Sequence, residues 1–405
     1  MSRPRVVVVG GGIVGSAVAR RLTLLDPRPQ VTLVEKELAP GRHQTSHNSG
    51  VVHAGLYYAP GSAKAALSRE GVRRLRTYCH DRGLPYEELG KLVVALDAVE
   101  DGRLRDLEAR ARANGVPGLR RLEGPALREL EPHVVGRSAL HSPTTAVTDF
   151  SLVAAAMVAD AREHGAEVVT GFEVTGLDQR RGHVEVRAAD GRHVVADRVV
   201  IAGGLHADRL AVLAGDGPHP AIVPFRGEYH RLVPSASHLV RGLVYPVPDP
   251  RYPFLGVHLT RRVGGDVLLG PNAVLATARE GYRRRDVDPA LVRALAASTG
   301  FRRFARTNLR TGLHEVVGSL SRHAFVQQVR RYVPAITAAD VVPAGSGVRA
   351  QAMDADGSLV EDFRFTRVGA VLCIRNAPSP AATASLAIAD LVVGRLEGLD
   401  GLGLR

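Results

Sequence analysis

The run Val6-Val7-Val8-Val9-Gly10-Gly11-Gly12-Ile13-Val14-Gly15 constrains this chain more than any other stretch. An apolar strand enters a glycine turn and leaves it as a helix. A second apolar strand, Val31-Thr32-Leu33-Val34, ends in Glu35, about twenty residues past the turn. Gly10 permits the tight turn, Gly12 lets a pyrophosphate approach the backbone, and Gly15 lets the helix lie close on the strand. The helix start, at Ile13 and Val14, offers unpaired N–H groups and a positive dipole end to phosphates. Glu35, with Lys36 beside it, can accept hydrogen bonds from ribose hydroxyls. A glycine triplet alone is weak evidence in a glycine-rich chain. Set in a β-α-β unit with the acid in place, it predicts a dinucleotide site. The bland alternative is a strand-to-helix turn with no ligand.

At 405 residues the chain is long enough for two domains. The formal net charge is +12, carried almost wholly by arginine; the only lysines are Lys36, Lys64 and Lys91. Such a charge suits an anionic substrate, an anionic membrane surface or nucleic acid. Scattered basic residues, 4% aromatics and no recognisable binding module argue against nucleic acid. Cys79 and Cys373 are far apart and form no CxxC, so neither a metal site nor a disulfide framework is expected. No apolar run approaches the roughly 20 residues that span a bilayer. The amino-terminal apolar run reads as a strand rather than a leader. The expectation is a cytoplasmic protein, with peripheral contact at the inner face of a membrane and the oligomeric state both open.

Further along, residues 5–9 and 31–35 read as parallel strands around a helix from Ile13 to about Leu25. Residues 41–62 are irregular, and Ala63 to about His80 is helical. A strand is expected from Lys91 to Leu96, and a surface helix from Arg103 to Ala113. Asp149 or Ser151 caps a helix that reaches about Glu163. Glu167–Val174, His183–Ala188 and Arg192–Ala196 read as a three-stranded meander, after which Val199–Ile201 runs into Ala202-Gly203-Gly204. Between about 216 and 339 an antiparallel sheet is expected, with one long helix from Pro289 to about Ala305. Strand Val371–Arg375, the turn Asn376-Ala377-Pro378-Ser379-Pro380 and a helix from Ala381 return the chain to the first sheet. The expected fold class is α/β. A Rossmann-like FAD-binding domain (residues 1–90, 145–215 and 340–405) carries a discontinuous α+β substrate domain built on an antiparallel sheet (residues 91–144 and 216–339).

Three features favour FAD over NAD(P). Only one glycine fingerprint is visible, a polar glycine loop at 41–55 follows the acid, and the chain returns twice to the first domain, at 199–204 and 371–380. Thr45, Ser46, His47, Asn48 and Ser49 are candidate contacts for phosphate or flavin edges. Ala202, Gly203 and Gly204 allow close approach to the pyrophosphate, and Asn376, Ala377, Pro378 and Ser379 are placed to cap the flavin.

The turn Gly10 to Gly15, Glu35 and Ala202-Gly203-Gly204 resemble the D-amino-acid oxidase-type flavoproteins. Longer stretches resemble one branch, the L-2-hydroxyglutarate dehydrogenases/oxidases. They are Arg42 to Tyr58, Pro224 to Tyr229, Tyr245 to Pro250, Pro253 to His258, Gly270 to Ala273, Gly347 to Ala352 and Arg375 to Thr383. His230 stands where an aromatic residue is expected. The resemblance spans nearly the whole chain. It implies FAD-dependent oxidation of L-2-hydroxyglutarate to 2-oxoglutarate, by hydride transfer from C2 to flavin N5, with electrons passed to oxygen or a membrane quinone. It also implies that Val174 meets the adenine through its backbone. An oxidase of an amino acid or another 2-hydroxy acid is the alternative enzyme, and a non-catalytic flavoprotein subunit the alternative outside enzymes.

Oxidising a 2-hydroxy acid needs a base for the hydroxyl proton, which favours histidine. His53 and His258 are the candidates. A small dicarboxylate needs cationic partners, and arginine offers a bidentate fork. Arg349 is the first candidate, by likeness to the broader fold, followed by Arg226 and Lys64. Tyr57, Tyr229 and Tyr245 are candidate hydrogen-bond donors to a carboxylate, each equally readable as core.

Overall fold

The computed structural model describes residues 3–250, 255–309, 312, 318, 319 and 321–397; Pro253 and Phe254 of the motif ending at His258 lie outside them. The first sheet has six strands in the order Arg364–Val368, Val371–Asn376, Arg198–Ile201, Arg5–Val9, Gln30–Val34 and Glu167–Val169. All its pairings are parallel except that between the first two. Its strands read as unbroken apolar runs because both faces are covered. Val6 and Val8 pack with Ile13, Ala17 and Leu22 and with the helices Phe150–Glu163 and Ala381–Glu397. Val7 and Val9 point the other way, onto Leu177, Val184 and Val186 of a three-stranded meander. Successive side chains of a strand alternate between faces, so four valines in a row serve two cores.

The second sheet is larger and mostly antiparallel. Its order is Val274–Leu275, Ala221–Leu232, Val267–Gly270, His258–Arg261, Leu243–Pro246, Lys91–Ala95, Ser138–Ser142 and Arg120–Glu123. Only Leu243–Pro246 and Lys91–Ala95 run parallel. Strand Val341–Met353 pairs with Ala221–Leu232 along nearly its whole length. Arg349 thus stands in this sheet, opposite Phe225. Leu92, Val94, Val244 and Leu259 bury one face against the helix Arg322–Arg330. Val93, Ala95, Leu243 and Tyr245 face the other way, toward Val51, Leu56 and the helix Ala98–Ala113. This second face turns toward the glycine-turn domain.

Three expectations are corrected. Glu167–Val174 is not one strand of the meander. Glu167–Val169 extends the parallel sheet beside Gln30–Val34, and the meander begins at Val174. Between them Gly171, at φ 62°, turns the chain, and Phe172 is buried in the meander's core. The helix expected from Arg103 begins at Ala98, because the Asp97 side chain accepts from the Glu100 N–H at 2.8 Å. The long helix expected from Pro289 to Ala305 is two, Pro289–Ala297 and Thr299–Thr307. Ser298 ends the first and caps the second, accepting from the Phe301 N–H at 3.2 Å.

Helix Ala63–Asp81 lies against the start of Ala381–Glu397 with its backbone close. A Cβ on Gly71 would meet the Thr383 carbonyl oxygen at 2.5 Å and Ala384 Cα at 2.6 Å. Gly71→Ala should therefore destabilise the fold by about 1–3 kcal/mol. A lower urea midpoint at unchanged slope would be the signature, and an unmoved midpoint would show the two helices free to part.

Candidate active site

One cavity of about 1260 Å³ runs from the glycine turn to the inner face of the large sheet. It exceeds the roughly 300–1,000 Å³ of an ordinary small-molecule pocket. Gly10 adopts φ 104°, a left-handed conformation that other residues rarely hold. A Cβ on Gly15 would overlap the Gly10 carbonyl oxygen, so helix and strand touch there backbone to backbone. Gly12 is different. Its Cβ would meet only the Thr45 hydroxyl, at 3.5 Å, and otherwise point into open space. This is a cradle that a side chain would fill.

Gly12, Ile13, Val14, Glu35 and Lys36 line this end. The Ile13 N–H donates to Thr45 Oγ1 at 2.9 Å, which pins the polar loop to the helix start. Glu35 is held rigidly. Its Oε2 accepts from the Gly11 N–H at 2.6 Å and its Oε1 from the Glu37 N–H at 2.9 Å. Lys36 Nζ sits 2.6 Å from both Glu37 and Glu280. That ammonium thus bridges the two carboxylates of the Glu37, His43 and Glu280 cluster. His47 stacks on Tyr282 at 4.2 Å. Asn48 spends its amide on the Gln44 and Thr45 carbonyls and its carbonyl on the Gly50 N–H, and so orders the loop. Ser49, Val174, Ala202, Gly203 and Gly204 also line the cavity. Ser46 does not; its hydroxyl contacts the His43 carbonyl and the His47 ring.

The far wall is the turn 376–380. Asn376 donates to the Val360 and Asp362 carbonyls, both at 2.9 Å, while its buried Oδ1 has no partner among the described residues. Ala377, Pro378 and Ser379 continue the lining into the helix that starts at Ala381. An open glycine cradle, a rigid acid at one end and an unsatisfied amide oxygen at the other fit an extended dinucleotide bearing a polar ring system.

Beyond this wall the cavity collects titratable groups from both sides. His53, Tyr57 and Tyr58 come from the segment between the strand Val51–Val52 and the helix Ala63–Asp81, and Lys64 from that helix's first turn. Tyr229, Tyr245, His258 and Arg349 come from the large sheet. The His53 N–H donates to Thr383 Oγ1 at 3.1 Å, which ties it to the turn wall, and its ring Nδ1 has no partner among the described residues. Burial holds its pKa well below 6.5, helped by Lys91, His258, Lys64 and Arg349. His258 stacks on Tyr245 at 4.0 Å, with Nδ1 3.1 Å from the Gly256 carbonyl oxygen. That contact makes Nδ1 the donor and leaves Nε2 as an acceptor. Burial pushes the His258 pKa down to about 3. Lys64 Nζ lies 5.5 Å over the Tyr58 ring; burial lowers its pKa, against the pull of Asp362 and Glu361. Arg349 is solvent-accessible, and the cavity is lined by its surface. Desolvation lowers its pKa as well. The Tyr57 hydroxyl is buried without a hydrogen-bond partner among the described residues, and the buried Tyr245 hydroxyl lies beside Thr260.

Arg226 is not brought to this site. Strand alternation turns Phe225, Gly227 and Tyr229 inward and Arg226 outward, where it pairs with Glu228 at 3.4 Å. Lys91, which sequence reasoning passed over, lies buried against Tyr57 and Tyr245. Its signal was a lysine heading an otherwise apolar strand, Lys91-Leu92-Val93-Val94-Ala95.

The family model described as DAO, FAD dependent oxidoreductase, matches residues 5–395. The chain is 44% identical to the mitochondrial L-2-hydroxyglutarate dehydrogenase of Nematostella vectensis, over 96% of this chain and 90% of that protein. It is 41% identical to the L-2-hydroxyglutarate dehydrogenase of Escherichia coli K12, over 97% and 93%. The human mitochondrial L-2-hydroxyglutarate dehydrogenase is likewise 41% identical, over 97% and 88%. Among solved structures, the FAD-bound L-alpha-glycerophosphate oxidase of Mycoplasma pneumoniae superposes with a TM-score of 0.79 at 22% identity, covering 98% of this chain and 95% of that one. The glycine oxidase of Geobacillus kaustophilus gives 0.71 at 20% identity, with the same coverage.

The space at Gly12 separates folding from cofactor capture. Gly12→Ala should leave the thermal stability of the apoprotein near wild type and weaken FAD binding by about tenfold or more, read by flavin fluorescence titration. Unchanged affinity would place the pyrophosphate elsewhere.

Proposed function

This chain belongs to the FAD dependent oxidoreductase family, and we propose that it oxidises L-2-hydroxyglutarate to 2-oxoglutarate. The observation that carries this reading is the single cavity, which joins a dinucleotide cradle to two neutral imidazoles and the cations Arg349 and Lys64. The near full-length similarity to L-2-hydroxyglutarate dehydrogenases supports it. FAD, held there, would supply a two-electron acceptor for the hydride that leaves C2.

The chain's own residues bind, orient and deprotonate. Gly10 to Gly15, Glu35, Thr45, Ser49 and Ala202 to Gly204 hold the adenosine and pyrophosphate in this reading. His47, Asn48 and Asn376 to Ser379 hold the flavin end. Ser46 acts only within its loop. Arg349 takes the carboxylate beside the reacting carbon in a two-pronged grip, and Lys64 takes the distal one. Tyr57, Tyr229 and Tyr245 turn their hydroxyls to the substrate oxygens. His53, tied to the turn wall through Thr383, accepts the hydroxyl proton. His258 presents Nε2 to the same hydroxyl and orients it. Arg226, spent on Glu228, takes no part. The electrons leave to oxygen or to a quinone, and quinone use would bring the protein to the inner face of a membrane. No helix among the described residues is long and apolar enough to cross one. Reoxidation of the reduced enzyme by oxygen and by a quinone analogue, compared side by side, identifies the acceptor.

Anaerobic mixing tests the reading. L-2-hydroxyglutarate should bleach the flavin, and L-glutamate or a 2-hydroxy monoacid should not at the same concentration. Preferential bleaching by an amino acid would make the protein an amino-acid oxidase. No bleaching by any acid would make it a non-catalytic flavoprotein.

His53→Asn should lower kcat by about 10²–10⁴-fold, whereas His258→Asn should mainly raise KM; the reverse pattern exchanges their roles. The base must be neutral to act, and burial among cations depresses its pKa. Activity is thus kept above that depressed pKa and lost as pH falls through it. The acid limb of kcat/KM should lie below 6.5; a limb at or above 6.5 would exclude His53. Arg349→Ala should weaken substrate binding by about 2–5 kcal/mol, and an unmoved KM would remove it from the site.

A further inference from the structure

Lys91 begins a strand whose five residues are all buried, and it is itself 1% exposed. Its Nζ has no hydrogen-bond partner among the described residues. It lies instead 4.1 Å from the centre of the Tyr245 ring and 5.1 Å from that of Tyr57. Both tyrosines line the cavity and Lys91 does not, so the ammonium sits behind the tyrosine wall. His258 stacks on Tyr245 at 4.0 Å. Two groups cannot both lie about 4 Å over one ring face, so Tyr245 is held between the cation and the imidazole.

This placement works against folding. A buried ammonium is costly unless an opposite charge or hydrogen bonds compensate it. The tyrosine faces offset part of that cost. Burial alone pushes the Lys91 pKa down to about 7, and no carboxylate raises it back. Methionine would fill the same space without the cost. The chain uses lysine at only three positions and spends one of them here.

We propose that Lys91 is a specificity-determining positioning residue: its ammonium, set behind Tyr57 and Tyr245, holds their rings against the cavity and supplies the positive field that favours a dianionic ligand over a monoanionic one. The inference rests on the dicarboxylate reading given above. Charged or titratable groups around the cavity include His53, Tyr58, Lys64 and Arg349, with His258 and Tyr229 on the sheet, Asp249, which pairs with Arg103, in the lining, and Asp362 and Glu361 beside Lys64. Buried groups are poorly screened, so the Lys91 charge can act through one layer of side chain. A dianion drawn in raises the ammonium's affinity for its proton, so the complex keeps the charge.

The test uses the FAD-loaded wild type with Lys91→Met and Lys91→Gln, and glutarate and pentanoate as five-carbon dianion and monoanion. Dissociation constants come from perturbation of the flavin absorbance, with melting temperature and flavin content alongside. Removing the charge should weaken glutarate by about tenfold or more and pentanoate by less than about threefold. Lys91→Met should melt at or above the wild-type temperature with its flavin retained. Equal shifts for the two acids, or none, would overturn the inference while leaving the dicarboxylate reading intact. Loss of fold or flavin in both variants would make Lys91 part of the scaffold and overturn it as well. A wild type that binds glutarate no better than pentanoate would overturn the dicarboxylate reading and this inference together.

Discussion

The backbone contact between Gly10 and Gly15 is the constraint on which the rest of the site depends. Residue 15 has no room for a Cβ against the Gly10 carbonyl, so the first helix lies directly on the first strand. That closeness aims the helix start, with its unpaired N–H groups, into the cavity and leaves Gly12 as an open cradle. Thr45 then fastens the polar loop to the same helix start. The loop in turn leads to Val51, which packs with Val93 and Tyr245 of the second sheet, and to His53 in the cavity lining. One glycine contact thereby fixes the relation between the cofactor cradle and the wall of reacting groups.

The opposite wall is built from strand alternation. Leu92, Val94, Val244 and Leu259 are committed to the core beneath the sheet. Their neighbours Lys91, Tyr245 and His258 are left facing the cavity side. Lys64, Lys91 and Arg349 act on His53, and Lys91 and Arg349 on His258, while Asp362 and Glu361 sit beside Lys64. Burial, helped by these cations, keeps the imidazoles unprotonated, as a base requires, and the cations also favour an anionic guest. An ordinary apolar wall would cost the fold less, but it would not favour an anion.

Much of the cofactor end was legible because it is local. Strand, turn, helix and acid lie within residues 5–35, and each reports on its own φ, ψ and packing. The antiparallel sheet was legible as a region and not as a register. Nothing in 341–353 announces that it pairs with 221–232, since that register is set by contacts more than a hundred residues apart. The helix pair split at Ser298 was readable in principle, because Ser-Thr-Gly is a capping and breaking signal inside an apolar pattern. Arg226 was separable too. Arg226 and Tyr229 sit three apart on one strand, and alternation forbids both from facing the same cavity. Lys91 required the structure: a lysine at a strand's first position usually faces solvent, and only the tyrosines packed over it reveal its burial.

In the proposed reading, cofactor and dicarboxylate share one cavity within contact of each other. Titration of the oxidised holoenzyme with 2-oxoglutarate tests it most directly, with calorimetry and the visible flavin spectrum followed on the same sample. The account predicts one site per chain by calorimetry and a saturable flavin perturbation with the same dissociation constant. Binding seen by calorimetry with no change in the flavin spectrum would put the acid out of reach of the ring and contradict it.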